Sequence, residues 1–125
     1  MTNTLDYKTV SSENVTNWFK AAPVTAFPAN GGACVLYRGK QIAVFNFTRR
    51  DEWYACQNLC PHKQQMILSR GMIGSEQDEP KVACPFHKRA FSLQSGKCLN
   101  ADECAIATYP VKIEEGYVYI GFDEA

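Results

Sequence analysis

The chain has 125 residues, with 13 basic and 13 acidic side chains that cancel to a net charge of zero. A neutral balance offers no general attraction to nucleic acid or anionic lipid, and no apolar run approaches the ~20 residues of a membrane span. The expected partners therefore include neither nucleic acid nor a membrane. Residues 1–10 lack the apolar core of a signal peptide, which favours a cytoplasmic location. The length predicts a single domain over residues 1–125.

The N-terminal part contains the one helical pattern in the chain. Residues 11–20 place Val15, Trp18 and Phe19 at helical spacing, with Ser11 or Ser12 available as the cap. This spacing predicts a short helix ahead of the first strand.

The remainder of the sequence predicts short strands separated by turns. The expected strands are 33–37, 41–47, 53–56, 81–84, 89–93, 109–113 and 117–120. Glycine turns join the first two and the last two of these into hairpins, the last with period-two alternation. Residues 71–80 are polar and rich in turn formers, so they are expected to be a connection. Strands at such close spacing predict an all-β sandwich or barrel.

Two short motifs contain four candidate metal ligands. The first is Cys60-Pro61-His62 and the second is Cys84-Pro85-Phe86-His87, with 21 residues between them. The chain has only two histidines, and both lie in these motifs. Each motif follows an expected strand, and the proline after each cysteine stiffens the loop. Two thiolates and two imidazoles suit either one Zn²⁺ or a [2Fe–2S] cluster with one iron on sulfur and one on nitrogen.

The spacing of these motifs favours the cluster over the zinc site. A zinc finger more often combines C-x-x-C with H-x-x-x-H, whereas mixed pairs can place each cysteine on one metal and each histidine on another. Surface turns that bind nothing are the remaining alternative.

In a reducing compartment, clustered cysteines are more typical of metal ligands than of disulfides. Cys34 lies in an apolar run and is expected to be a buried, inert thiol.

The two motifs resemble those of Rieske [2Fe–2S] domains, and the resemblance covers about residues 30–122. It includes an F-x-L-x-x-G continuation at 91–96 and a closing hairpin at 109–120. The resemblance implies a Rieske-type antiparallel β-sandwich or barrel, with a small two-loop cluster-binding subdomain at about 57–95. It also implies the ligand set. Cys60 and Cys84 would bind one iron of a [2Fe–2S] cluster, and His62 and His87 would bind the other.

A narrower resemblance concerns residues 67–74, Ile-Leu-Ser-Arg-Gly-Met-Ile-Gly. This segment is similar to one in the small subunits of assimilatory NAD(P)H-dependent nitrite reductases. The separation of the motifs also exceeds that common in ferredoxins of ring dioxygenases, and Lys88 stands where those ferredoxins usually have glycine. The resemblance implies one-electron transfer in the reduction of nitrite to ammonium. The implied partner is a large subunit with flavin, [4Fe–4S] and sirohaem.

Two other functions remain open from the sequence. One is a free Rieske-type ferredoxin that donates electrons to an oxygenase, and the other is a zinc-stabilised interaction module. No catalytic residue is predicted, because no histidine remains for general-base work and no phosphate-binding glycine loop is present.

The residues after the second motif, 88–91, lack the hydroxyl groups that accompany high-potential Rieske proteins. Ser92 is the first residue after that motif with a hydroxyl group. This favours a potential toward the low end of the Rieske range.

Overall fold

The computed structural model describes residues 9–49, 51–60, 65–76, 78–85, 90–99 and 105–123. Within these ranges the chain forms twelve strands and three short 3-10 turns, which confirms the all-β prediction. The strands are β1 (Asn17–Pro23), β2 (Gly31–Tyr37), β3 (Lys40–Phe47), β4 (Glu52–Gln57), β5 (Leu59–Cys60), β6 (Gln65–Met66), β7 (Met72–Glu76), β8 (Glu79–Ala83), β9 (Ala90–Ser92), β10 (Thr108–Tyr109), β11 (Val111–Glu114) and β12 (Tyr117–Phe122). The 3-10 turns are Ser12–Asn14, Val24–Ala26 and Leu68–Arg70.

All pairings between these strands are antiparallel, and they form four sheets. One sheet has the order β1-β12-β11, and a second has the order β10-β4-β3-β2. The smaller sheets are β5-β6 and β7-β8-β9. No helix in the described residues has the length and apolar character that a membrane crossing requires.

Strand β3 separates two hydrophobic cores. Ile42, Ala43, Val44 and Phe45 are all fully buried, because both faces of the strand are covered. Ile42 and Val44 belong to the sandwich core, which also contains Val118 of β12. Ala43 and Phe45 belong to the second core, which is shared with the smaller sheets. The β10-β4-β3-β2 sheet therefore has the sandwich core on one side and the second core on the other.

The helix expected over residues 11–20 is wrong. Only Ser12–Asn14 forms a 3-10 turn, and β1 begins at residue 17. Phe19 contacts Tyr37 at a ring-centroid distance of 4.9 Å, while Lys112 Nζ lies 4.6 Å from the ring centre of Trp18. The apolar spacing suits alternate faces of a strand as well as one face of a helix. The edge of β12 decides between them, because it supplies backbone partners along β1.

Residues 71–80 connect the two ligand motifs as expected, but most of this turn-rich segment is strand. β7 pairs in register with β8, from Met72 opposite Ala83 to Glu76 opposite Glu79. Ile73 packs against the second core, which gives this otherwise polar hairpin an apolar contact. Strand forms here because the pairing satisfies the backbone, a tertiary effect that turn-forming residues alone do not reveal.

Candidate metal centre

The first ligand motif begins in a very short hairpin. In the pairing of β5 with β6, Leu59 lies opposite Met66 and Cys60 opposite Gln65. Cys60 is completely buried. His62 lies between the two strands in sequence and outside the described residues, so its assignment as a ligand stays a prediction.

The second motif begins where β8 ends. Cys84 directly follows Ala83 and is almost completely buried, with 1% of its surface exposed. Ala83 lies opposite Ala90 of β9, so residues 84–89 connect two paired strands. His87 falls within this connection and outside the described residues, and its role also stays a prediction.

The fold brings the two motif cysteines into the same core. Cys60 and Cys84 both belong to the second core, together with Leu68, Val82 and Phe91. Thiolate sulfur is the donor that iron–sulfur clusters use, and burial among apolar side chains keeps water from it. The two thiols therefore fit the sulfur half of the predicted ligand set.

Gly71 allows the two motifs to approach each other closely. It follows the 3-10 turn after the first motif, and its backbone N–H donates to Leu68 O at 2.9 Å. A Cβ atom at this position would overlap the carbonyl oxygen of Ala83, the residue just before Cys84, and would lie 2.8 Å from Val82 Cγ2. Only glycine leaves room for this contact between the segment after the first motif and the strand before the second.

Two further cysteines differ sharply in environment. Cys56 lies within β4, where strands pair on both sides, and the pKa of its fully buried thiol is raised by that burial. A protonated thiol in the middle of a sheet is a packing residue, because no loop there can bend around a metal. Cys34 is exposed, which contradicts the expectation of a buried thiol. It lies on β2 at the edge of its sheet and on the face opposite to the sandwich core, where Leu36 is exposed as well.

Sequence reasoning missed the two amide residues that precede the first motif. Gln57 and Asn58 are both buried, with 6% and 2% of their surfaces exposed. Gln57 Nε2 donates to Leu59 O at 2.7 Å, and its Oε1 accepts from the Ala107 N–H at 2.8 Å. This side chain thus ties the residue before Cys60 to the chain that leads into β10. The sequence did contain a sign of this role, because two consecutive amide residues stand between an apolar strand and a ligand cysteine.

The sequence profile of the Rieske-like [2Fe-2S] domain matches residues 17–121. The match covers most of the chain, which therefore belongs to this family. The [2Fe–2S] cofactor expected from the ligand motifs is the one that the family's description names. The Rieske-type fold class is confirmed as well.

Individual relatives are similar to this chain over most of its length. A nitrite reductase [NAD(P)H] from Emericella nidulans is 40% identical over 99 residues, which are 74% of this chain and 9% of that protein. The solution structure of a nitrite reductase [NAD(P)H] small subunit from Erwinia carotovora has a TM-score of 0.72 and 31% identity, covering 86% of this chain and 83% of that one. A 3-phenylpropionate/cinnamic acid dioxygenase ferredoxin subunit from Shigella flexneri is 35% identical, covering 87% of this chain and 97% of that protein. The chain thus spans less than a tenth of the length of the Emericella nidulans protein.

Proposed function

We propose that this chain is the small subunit of an assimilatory NAD(P)H-dependent nitrite reductase. The observation that carries the proposal is the similarity to a nitrite reductase small subunit from Erwinia carotovora, which covers 86% of this chain and 83% of that one, together with the 40% identity to the Emericella nidulans nitrite reductase. The segment at residues 67–74 supports the same choice, because it is similar to one in those small subunits. Residues 1–125 would form one domain, and residues 57–95 would form its cluster-binding part. The protein would be located in the cytoplasm.

Four side chains would hold the [2Fe–2S] cluster. Cys60 and Cys84 would bind one iron and His62 and His87 the other, with the two thiols inside the second core. When bound, such a group carries one electron at a time. The chain's own contribution is to hold Cys60 and Cys84 beside short paired strands and to keep water away from the sulfur side. Oxidation of NAD(P)H and reduction of nitrite to ammonium would belong to the large subunit, with its flavin, [4Fe–4S] and sirohaem groups.

Ser92 bears on the expected reduction potential. It is fully buried, its Oγ donates to Glu79 Oε2, and it accepts from the backbone N–H groups of Gln94 and Ser95 at 3.1 Å each. The first hydroxyl after the second motif is thus engaged in the turn that ends β9. Since hydrogen bonds to cluster sulfur are among the factors that set the potential, this supports a value toward the low end of the Rieske range. A low potential suits electrons drawn from a nicotinamide.

The test is reconstitution with the large subunit from the same organism. Co-expressed chains should purify as one complex that consumes nitrite with NADH or NADPH, and the isolated small subunit should show a Rieske-type electron paramagnetic resonance (EPR) signal. Cys84→Ser is the matched variant, because it removes one sulfur donor from the same core. A large subunit that neither binds this chain nor needs it for nitrite consumption would contradict the proposal.

A free ferredoxin is the second candidate, and the similarity to the Shigella flexneri ferredoxin subunit favours it. Such a carrier would show the same EPR signal but would not copurify with a nitrite reductase large subunit. It would instead support turnover by a dioxygenase. The zinc-stabilised module is separated from both by colour, because a zinc protein is colourless.

A further inference from the structure

Asn58 is a buried polar residue whose hydrogen bonds close the segment that contains the first ligand motif. Its backbone carbonyl accepts from the Leu68 N–H at 3.0 Å, and its side-chain Oδ1 accepts from the Ser69 N–H at 2.7 Å. The chain leaves Asn58, passes through Cys60, and returns to bond to Asn58 again. One residue therefore fixes both ends of the segment 59–67.

The same residue also attaches this segment to the large central sheet. The Asn58 N–H donates to Gln41 O at 2.9 Å, and Asn58 Nδ2 donates to Gln41 Oε1, also at 2.9 Å. Gln41 belongs to β3, the strand with a hydrophobic core on each side. A weaker contact joins Asn58 Nδ2 to Cys34 Sγ at 3.7 Å. The segment is thus tied to β3, in which residues 42–45 are fully buried.

The chemistry of asparagine suits this position closely. Its backbone and side chain together offer two acceptors and two kinds of donor, and here each of them has a partner. Since only 2% of its surface is exposed, loss of one partner would leave a buried polar group unpaired. An aspartate would keep the acceptor toward Ser69 but would lose the donor toward Gln41.

We infer that Asn58 is a positioning residue for the metal centre, because its hydrogen bonds to Gln41, Leu68 and Ser69 set where Cys60 lies relative to Cys84. The inference rests on the proposed function, since it assumes that Cys60 and Cys84 hold a cluster. It goes beyond that proposal by assigning control of the ligand geometry to a residue that is not itself a ligand.

The test compares Asn58→Ala with Asn17→Ala in the isolated small subunit. Asn17 is the matched control, because its Nδ2 donates to Tyr37 Oη at 3.1 Å in the sandwich, away from the ligand motifs. Iron release to a chelator should become about tenfold faster in Asn58→Ala, in keeping with the usual cost of removing outer-shell support. Its EPR g-values and reduction potential should also shift. Asn17→Ala should leave the rate of iron release, the g-values and the reduction potential unchanged, even if it lowers the thermal stability as much as Asn58→Ala does.

A second variant keeps the inference testable if Asn58→Ala does not fold. Gln41→Ala removes the side-chain acceptor for Asn58 Nδ2 and leaves the backbone bond from the Asn58 N–H to Gln41 O in place. It should change iron release and the EPR signal in the same direction but by less. Faster amide exchange at Ser69 in Asn58→Ala gives a readout that needs no cluster. If the wild-type chain binds a cluster and neither variant differs from Asn17→Ala in these measurements, the inference is wrong. If the wild-type chain binds no cluster, the proposed function is wrong, and the inference about Asn58 is wrong with it.

Discussion

The two cores of this protein are built in different ways. The sandwich core lies between β1-β12-β11 and β10-β4-β3-β2 and consists of aliphatic and aromatic side chains, including Tyr37 and Phe122 stacked at 3.8 Å. The second core contains three buried cysteines, Cys56, Cys60 and Cys84. Five of the strands around the sandwich core, β1, β2, β3, β4 and β12, have six to eight residues each, whereas β5, β6 and β9 have only two or three. The sandwich is thus stabilised by apolar packing, and we expect the second core to depend on the bound metal centre.

Removal of one sulfur donor should separate the two cores most clearly. Cys60→Ser should abolish the visible absorption of the cluster entirely, because the thiolate is the ligand. Amide exchange should accelerate in β5 and β8 but stay slow in β12, since the sandwich core does not need the metal. Absorption spectra and hydrogen exchange check the two halves of this expectation.

Cys34→Ser is the control for that experiment. Cys34 is exposed and lies outside both cores, so its replacement should leave the absorption unchanged. Retention of the cluster in Cys60→Ser would refute the ligand assignment.

A substitution in the sandwich core should act on the whole fold. Ile120 is fully buried, and Ile120→Ala should lower the free energy of unfolding by about 2–5 kcal/mol, through lost burial and the cavity left behind. Ile113→Ala is the matched control, because Ile113 on the neighbouring strand is 41% exposed and should cost much less. Denaturant unfolding measures both. Equal effects would mean that the sandwich core does not carry the stability assigned to it.

A smaller and more local effect is expected at the contact between the two motifs. Gly71→Ala would force its Cβ against the backbone of Ala83, at a cost of about 1–3 kcal/mol typical of overpacking. Gly74→Ala is the control, because a Cβ there meets nothing within 4 Å. Thermal unfolding followed by cluster absorption should separate the two variants. Similar curves would show that the close approach at Gly71 is not required.

The short motifs and the alternating strands could be predicted because they depend on local chemistry. Cysteine and histidine spacing reports which atoms can reach a metal, and period-two alternation reports which faces are covered. The all-β class and the [2Fe–2S] family therefore followed from the residues and their resemblance alone.

Other features depended on partners that are distant in sequence. Residue 17 begins a strand because β12 offers it an edge, and Cys34 is exposed because β2 lies at the edge of its sheet. The role inferred for Asn58 requires Gln41 and Ser69 to lie beside it. Local sequence was sufficient to indicate which atoms could bind a cluster and that strands would carry them. The sheet edges, the burial and the hydrogen bonds that hold those atoms in place became visible only in the folded chain, because they arise from contacts between residues far apart in sequence.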